Sequence, residues 1–181
     1  MSAEGGKHGT PEDGWVEIFR AGRQAWKVRG VFWFLCALCL GSLVWGADLI
    51  QQYGLSAGDG GVLRPLPERL AWGGLVSLLG LAAAGGMAFY VRLYICAVWW
   101  CAARRRVRFG LMRFWGTAFL EAGTQEILGS QFQPGDFDTL EHTIHAPWYA
   151  VRLRGRKLAL ILDGQGELLH PGVAVRLLNL K

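Results

Sequence analysis

The chain has 181 residues, of which 52% are apolar and 18% are charged, and its formal net charge is +5. A soluble domain usually carries about 25% charged residues, so this composition argues against an ordinary soluble protein. The few charges are unevenly spread, because none lies between Gly30 and Ala47 or between Leu70 and Val91.

These two uncharged stretches have the length of membrane-spanning helices. A helix rises about 1.5 Å per residue, so about 20 apolar residues cross a hydrocarbon core about 30 Å thick. One such stretch is also compatible with a buried helix of a soluble protein, but two in so short a chain leave too few residues to cover them. We therefore predict a first span over Gly30–Ala47 and a longer second helix over Leu70–Ala103.

The segments before and between the spans are expected to be irregular or interfacial. Residues 1–14 are polar and lack the apolar core of a signal peptide, so the first span is expected to stay in the membrane as an anchor. Trp15–Arg29 mixes apolar and basic residues, which is typical of an element lying along lipid headgroups. Residues 48–69 contain several glycines and two prolines and are predicted to form a loop.

The distribution of Lys and Arg predicts the orientation. Nine basic residues flank the outer ends of the two spans, and the connecting loop holds two, Arg64 and Arg69. Loops rich in Lys and Arg stay on the cytoplasmic side or its equivalent, so both termini are predicted to share one compartment. The nine are Arg20, Arg23, Lys27, Arg29, Arg104, Arg105, Arg106, Arg108 and Arg113.

The second helix carries two further signals. Arg92 between Tyr90 and Tyr94 marks a membrane–water interface, so Leu93–Ala103 would project beyond it. Apolar turns in that position need cover, and we predict partner contacts through Tyr94, Trp99 and Trp100. The alternative is a helix that breaks near Arg92 and lies on the surface.

A stripe of small residues on the second helix predicts close packing against the first span, with Ala37, Gly41 and Ser42 as the facing residues. The stripe contains Gly73, Ser77, Gly80, Ala84 and Ala88.

Residues 104–181 are predicted to form a small antiparallel β domain. Candidate early strands are Val107–Phe109, Arg113–Leu120 and Glu126–Leu128, and Val173–Leu180 is a candidate closing helix. Tyr149–Arg154 and Lys157–Leu162 flank Gly155-Arg156, a pattern that predicts a hairpin with a two-residue turn. The predicted fold class is therefore membrane α+β, with a two-helix transmembrane hairpin followed by this domain.

Two arginine clusters are the candidate binding residues. Arg104, Arg105, Arg106 and Arg108, together with Arg92, are predicted to contact anionic phospholipid such as cardiolipin. Arg152, Arg154 and Arg156 are predicted to contact an acidic protein neighbour. That second patch is small and lacks stacking aromatics, so a nucleic-acid partner is not expected.

The sequence offers only weak catalytic signals. Cys36 and Cys39 have the spacing of a redox motif but lie inside a predicted span, where thiols usually behave as small hydrophobes. His142 and His145 supply two potential metal ligands, with Asp138 or Glu141 nearby, and zinc sites need three or four. We therefore predict no active site, no cofactor and no bound metal.

The order of these elements resembles the mitochondrial transmembrane protein 223 family. The likeness is carried by Val16–Arg20 before the first span, by Phe89-x-x-Arg92 at the end of the second, and by Val151–Gly164. The resemblance implies a protein of the mitochondrial inner membrane with a matrix domain, connected with cytochrome c oxidase. It implies an accessory subunit of that complex or, alternatively, a transient assembly or translation-regulating factor. Accessory subunits of ATP synthase or complex I are further alternatives.

Overall fold

The computed structural model describes residues 14–56, 58, 60–138 and 143–180. The chain divides into two compact units. The helical unit contains Trp26–Arg92, and the sheet unit contains the residues up to Ala25 and from Leu93 onward. The predicted polar tail lies almost entirely outside the described residues, as do His142 and Glu141.

Two long helices account for the uncharged stretches. Helix α1 is Arg23–Gln52 and helix α2 is Leu66–Leu93, so they are about 45 and 42 Å long. Both are long and apolar enough to cross a membrane by length and composition. In their most apolar 18-residue windows only 17% and 11% of the residues are buried. A core helix of a soluble protein would be mostly buried, and these two are not.

The two helices approach each other through glycines and serines. A Cβ on Gly80 would lie 2.9 Å from Ser42 Cβ, and one on Gly73 would lie 2.6 Å from Ile50 Cγ1. A Cβ on Gly46 would overlap Ser77 Oγ. The predicted close packing of the two helices, which we call the glycine seam, is therefore confirmed at Gly73, Ser77, Gly80 and Ser42. Gly41 was expected to face α2, but a Cβ there would have no neighbour within 4 Å, and Gly46 takes its place.

An arginine of α2 bonds to the end of α1 and so joins the two ends of the connection between the helices. Arg69 Nη1 donates a hydrogen bond of 2.8 Å to the carbonyl oxygen of Ile50. The last carbonyl groups of a helix have no partner within the helix, so this bond satisfies one of them. Gly54, at φ +98°, follows the last turn of α1, and Arg64 N donates to the Tyr53 carbonyl oxygen.

The second helix is shorter than predicted. It ends at Leu93, and Ile95–Cys101 forms strand β2, so the prediction of a helix continuing to Ala103 is wrong. A short apolar run has no periodicity that separates helix from strand. Here β-branched and aromatic residues favour the strand, and pairing with a strand on each side stabilises it.

The larger sheet has five antiparallel strands. The segment expected to lie along the headgroups instead supplies strand β1, Trp15–Arg20, in which Ile18 and Phe19 are buried. The sheet order is β10-β1-β2-β3-β4. The remaining strands are β3 (Arg106–Met112), β4 (Thr117–Gly123) and β10 (Glu167–Leu168). The β domain predicted for residues 104–181 therefore also needs β1, which precedes α1, and β2, which follows α2.

A three-stranded sheet and a short ribbon complete the strands. The sheet order is β5-β8-β9, with β5 at Ile127–Gln133, β8 at Trp148–Leu153 and β9 at Leu160–Asp163. The ribbon pairs β6 (Asp136–Asp138) with β7 (Thr143–His145). Helix α3, Pro171–Leu178, confirms the predicted closing helix with a shift of two residues.

The predicted late hairpin is present, but its turn is longer than two residues. Strand β8 ends at Leu153 and β9 begins at Leu160, which leaves six residues, 154–159, between them. Arg154 N donates to the Glu126 carbonyl oxygen over 2.7 Å. This bond takes Arg154 out of the pairing with β9, so the turn cannot close at Gly155-Arg156.

The buried apolar side chains of the sheet unit come from both sheets and from α3. On β3 they alternate along the strand, with Val107 and Phe109 buried and Arg106 and Arg108 on the other face. The largest fully buried side chains of this unit are those of Ile18, Phe19, Tyr94, Ile95, Phe109, Met112, Leu160, Leu162 and Leu178.

Candidate partner-binding surfaces

One face of the larger sheet carries a row of polar and aromatic side chains. The register places Glu17 opposite Trp99, Trp99 opposite Arg108, and Arg108 opposite Glu121. Directly opposed residues of antiparallel strands lie on the same face. Four strands therefore contribute one side chain each to this row, which we call the outer row (Glu17, Trp99, Arg108, Glu121).

Arg108 is held at the centre of the outer row. Its Nε and Nη2 atoms donate to Glu121 Oε1 over 3.0 and 2.7 Å. Its guanidinium lies 4.3 Å from the centroid of the Trp15 ring and 5.8 Å from that of Phe119, within the range of cation–π attraction. These contacts orient Arg108 within its own sheet, so it is a structural member of the surface.

Glu121 is electrostatically coupled to the two arginines of β3. The hydrogen bond from Arg108 holds the pKa of the Glu121 carboxyl below its usual range, with a further contribution from Arg106. Arg106 Nη1 lies 3.3 Å from Glu121 Oε2.

A second ion pair lies at the end of β1. Arg20 Nε donates a hydrogen bond of 2.8 Å to Glu17 Oε1, and this hydrogen bond raises the pKa of Arg20.

An aromatic pair lies beside Arg108. The Trp99 ring covers Gly110, where a Cβ would lie 2.9 Å from Cζ3 of the ring. Trp99 and Phe119 meet edge to face, with ring centroids 5.7 Å apart. Phe119 is 63% exposed, so this face offers apolar area to a neighbour.

The fold brings the two arginine clusters of the sequence to one end of the sheet unit. Thr124 N donates to the Arg105 carbonyl oxygen over 3.2 Å, and Arg154 N donates to the Glu126 carbonyl oxygen over 2.7 Å. The short 3-10 turn Thr124–Glu126 thus links the β2–β3 turn to the end of β8. We call this end the basic pole and define it by Arg104, Arg105, Arg106 and Arg154, all of which are exposed.

Few acidic groups neutralise the basic pole among the described residues around it. Glu121 is engaged by Arg106 and Arg108. Glu126 Oε2 accepts a hydrogen bond of 3.0 Å from the Gly123 backbone N–H. Arg152 and Arg156, also exposed, add charge next to Arg154, so the pole keeps an excess of positive charge.

The position of the basic pole changes the basis of the lipid prediction. Arg104, Arg105 and Arg106 were expected directly after a membrane helix. They instead follow strand β2, whose seven residues extend about 20 Å, at the opposite end of that strand from α2. Arg92 lies in the last turn of α2, in the other unit. Lipid contact by these residues stays a prediction, but Arg104, Arg105 and Arg106 no longer have the position next to a membrane helix on which that prediction was based.

The aromatic residues predicted to contact a partner have three different environments. The prediction is wrong for Tyr94, which is fully buried and whose hydroxyl donates to Asp163 Oδ2 over 3.0 Å. Trp99 belongs to the outer row. Trp100 lies on the other face of β2 and lines a cavity of about 580 Å³ with residues of α3, among them Val173 and Arg176. A strand sends successive side chains to opposite faces, which separates Trp99 from Trp100.

The structure also identifies surface residues that the sequence analysis missed. Glu121 joins the outer row only through strand pairing, and the same pairing brings the rings of Trp15 and Phe119 to Arg108. The alternation of Phe119 and Glu121 within Thr117–Gly123 was the available signal, and the assignment of that strand to Arg113–Leu120 obscured it.

The described residues contain no cluster of three or more metal-ligating His, Cys, Asp or Glu side chains. Cys36 and Cys39 are free thiols within α1. His142 lies outside the described residues, so the pairing of His142 with His145 is untested.

Comparison of the chain with protein-family models, with curated proteins and with solved structures finds no match.

Proposed function

We propose that this chain is a non-catalytic accessory subunit of a respiratory complex of the mitochondrial inner membrane, with cytochrome c oxidase as the first candidate. In this proposal α1 and α2 cross the membrane, and the sheet unit lies in the matrix with both termini. The basic pole binds an acidic surface of a neighbouring subunit. The assignment to mitochondria and to this complex rests on the resemblance to the transmembrane protein 223 family.

The basic pole is the observation that carries the proposal. Arginine is favoured for recognition of carboxylates because its planar fork donates paired hydrogen bonds. The four arginines of the pole come from two segments 50 residues apart in the sequence, and the fold concentrates them on one end. Complementary charge accelerates association and sets orientation, which suits a subunit that must dock in one register.

The exposed apolar surface of the helices supports the membrane part of the proposal. Large side chains such as Trp45, Leu78 and Leu79 are at least 60% exposed. In water such a surface marks a contact site, whereas in a bilayer lipid or neighbouring helices cover it. Charged residues lie at the ends of the two uncharged stretches, with Arg29 and Asp48 on α1 and Arg69 and Arg92 on α2. Anionic phospholipid such as cardiolipin is proposed as a second partner, at Arg92 in the last turn of α2.

Native electrophoresis in mild detergent tests the proposal. The wild-type chain is expected to co-migrate with a mature complex in stoichiometric amount, and the double variant Arg105→Glu/Arg154→Glu is expected to migrate free of it. Arg176→Glu, a single charge reversal at an exposed residue of α3 outside the basic pole, is the control and is expected to stay bound. Migration of the wild type as a free species of about 20 kDa would defeat the proposal.

A transient assembly factor is the second candidate. The charged character of the basic pole favours it, because contacts between exposed charges are weakened by salt and dissociate readily. An assembly factor is expected in sub-stoichiometric amount and with immature intermediates. Equimolar presence in the purified mature complex would exclude this candidate and retain the first.

A further inference from the structure

The turn between β3 and β4 exposes an aromatic tip. Residues 113–116 connect Met112 to its partner Thr117, and Arg113 N donates to the Gly116 carbonyl oxygen over 3.3 Å. Gly116 has φ +79°, a conformation that favours glycine. Trp115 is 82% exposed and Phe114 is half-buried. We call Arg113, Phe114 and Trp115 the aromatic tip.

The strand register fixes the end of the sheet at which the tip lies. Leu111 pairs with Ile95, so the tip is at the end where β2 begins. Ile95 follows Arg92 by three residues, which span at most about 11 Å of chain. On the neighbouring strand Arg20 pairs with Ala97, and α1 begins at Arg23. Both long helices are therefore joined covalently to this end of the sheet.

The basic pole lies at the other end of the same strands. Arg106 pairs with Cys101, the last residue of β2, about 20 Å along the strand from Ile95. The two ends also differ in chemistry: the pole is formed by arginines, whereas the tip combines one arginine with two aromatic rings. Trp at a membrane–water interface places its apolar ring among the lipids while its indole N–H reaches water or headgroups.

We propose that the aromatic tip inserts into the headgroup region of the bilayer that α1 and α2 cross. Trp115 contacts the boundary between headgroups and acyl chains, and the Arg113 guanidinium binds lipid phosphate. This inference rests on the proposed membrane insertion of the helices and adds a third membrane contact, made by the sheet unit itself.

Fluorescence quenching in vesicles tests the inference. The full chain, with its four cysteines replaced by Ala, carries one new cysteine labelled with the polarity-sensitive dye NBD. It is reconstituted into phosphatidylcholine–phosphatidylglycerol vesicles that contain a nitroxide lipid labelled near the headgroup. The dye at Trp115→Cys is expected to lose fluorescence, and the dye at Arg105→Cys in the basic pole is expected to keep it. Arg113→Cys is a second site in the tip should Trp115→Cys fail to fold.

A label on Leu78→Cys separates this inference from the proposal on which it rests. Leu78 is 63% exposed within α2, and its dye is expected to be quenched by a nitroxide deep in the acyl chains. If Leu78→Cys is quenched and both tip positions behave like Arg105→Cys, the aromatic tip does not reach the membrane and this inference fails alone. If Leu78→Cys is not quenched, membrane insertion fails, and both proposals are overturned.

Discussion

The hydroxyl of Tyr94 donates a hydrogen bond to Oδ2 of Asp163 across 3.0 Å. Tyr94 is the first residue after α2 and forms an isolated bridge with Ile161 of β9, so the bond attaches the smaller sheet to the start of β2. Asp163 Oδ1 accepts a second bond, 2.8 Å long, from the Gln165 backbone N–H. One carboxylate thus joins the two sheets and closes the turn that follows β9.

Removal of the Tyr94 hydroxyl is expected to destabilise the sheet unit. Tyr94→Phe keeps the buried ring and loses a bond to a carboxylate, which costs about 1–2 kcal/mol in the free energy of unfolding. Chemical denaturation in detergent measures the change. Since the two groups share one bond, Tyr94→Phe combined with Asp163→Ala is expected to cost less than the sum of the single variants. Additive effects would show that the bond contributes nothing.

The glycine seam predicts a matched pair of variants in α2. Gly80→Val is expected to force the helices apart, because even a Cβ there would approach Ser42 Cβ to 2.9 Å. Overpacking of this kind costs about 1–3 kcal/mol. Gly85→Val introduces the same side chain five residues later, where a Cβ meets nothing within 4 Å, and is expected to leave stability almost unchanged. Equal unfolding curves for the two variants would contradict the close packing of α1 and α2 at Gly80.

The contribution of Glu121 to the stability of the sheet unit is expected to depend on pH. Its pKa in the folded chain is lowered by Arg108, so its contribution to stability is present above the unfolded pKa. That contribution is lost as the pH falls through the lower folded pKa. Arg108→Gln is expected to raise the pKa of Glu121 towards its ordinary value, measured by NMR titration of the glutamate carboxyl carbons. Arg152→Gln, on the other sheet, serves as the control and is expected to leave that pKa unchanged.

The contact between Trp99 and Gly110 predicts a stability difference between two alanine variants. Gly110→Ala places a methyl group 2.9 Å from the Trp99 ring and 3.1 Å from Thr117 Cγ2, and we expect a loss of at least about 1 kcal/mol. In Gly123→Ala the nearest atom lies at 3.8 Å, and we expect a neutral or slightly stabilising effect because alanine loses less backbone entropy. Thermal unfolding of both variants compares them. A stabilised Gly110→Ala variant would show that Trp99 does not cover this position.

The two long helices are easier to locate from the sequence than their ends are. Long runs without charge identify apolar helices because no other element buries so many consecutive apolar residues. Arg92 separates such a run from the strand Ile95–Cys101, which itself holds no charge or turn residue, so the sequence marks a position near Leu93 but not the change from helix to strand. Pairing with β1 and β3 decides it, and β1 is separated from β2 by the whole helical hairpin.

The candidate surfaces were predictable only in part. Exposed Arg152, Arg154 and Arg156 follow from strand alternation and turn composition, which are local properties. That Arg105 and Arg154 bond to the two ends of one turn depends on Thr124–Glu126, and that Trp15 lies over Arg108 depends on the β1–β2–β3 register. Neither pairing leaves a local pattern in the sequence.

Charge distribution and apolar length determined, from the sequence alone, two long apolar helices with basic flanks and a β-rich remainder, because these depend on what each segment buries. The tertiary structure decided which strands pair, and hence that residues before the first helix complete the sheet, that Tyr94 is a core residue, and that two arginine clusters form one pole. The physical reason is that strand hydrogen bonds join backbone groups that can be distant in sequence, so their partners are selected by the whole fold.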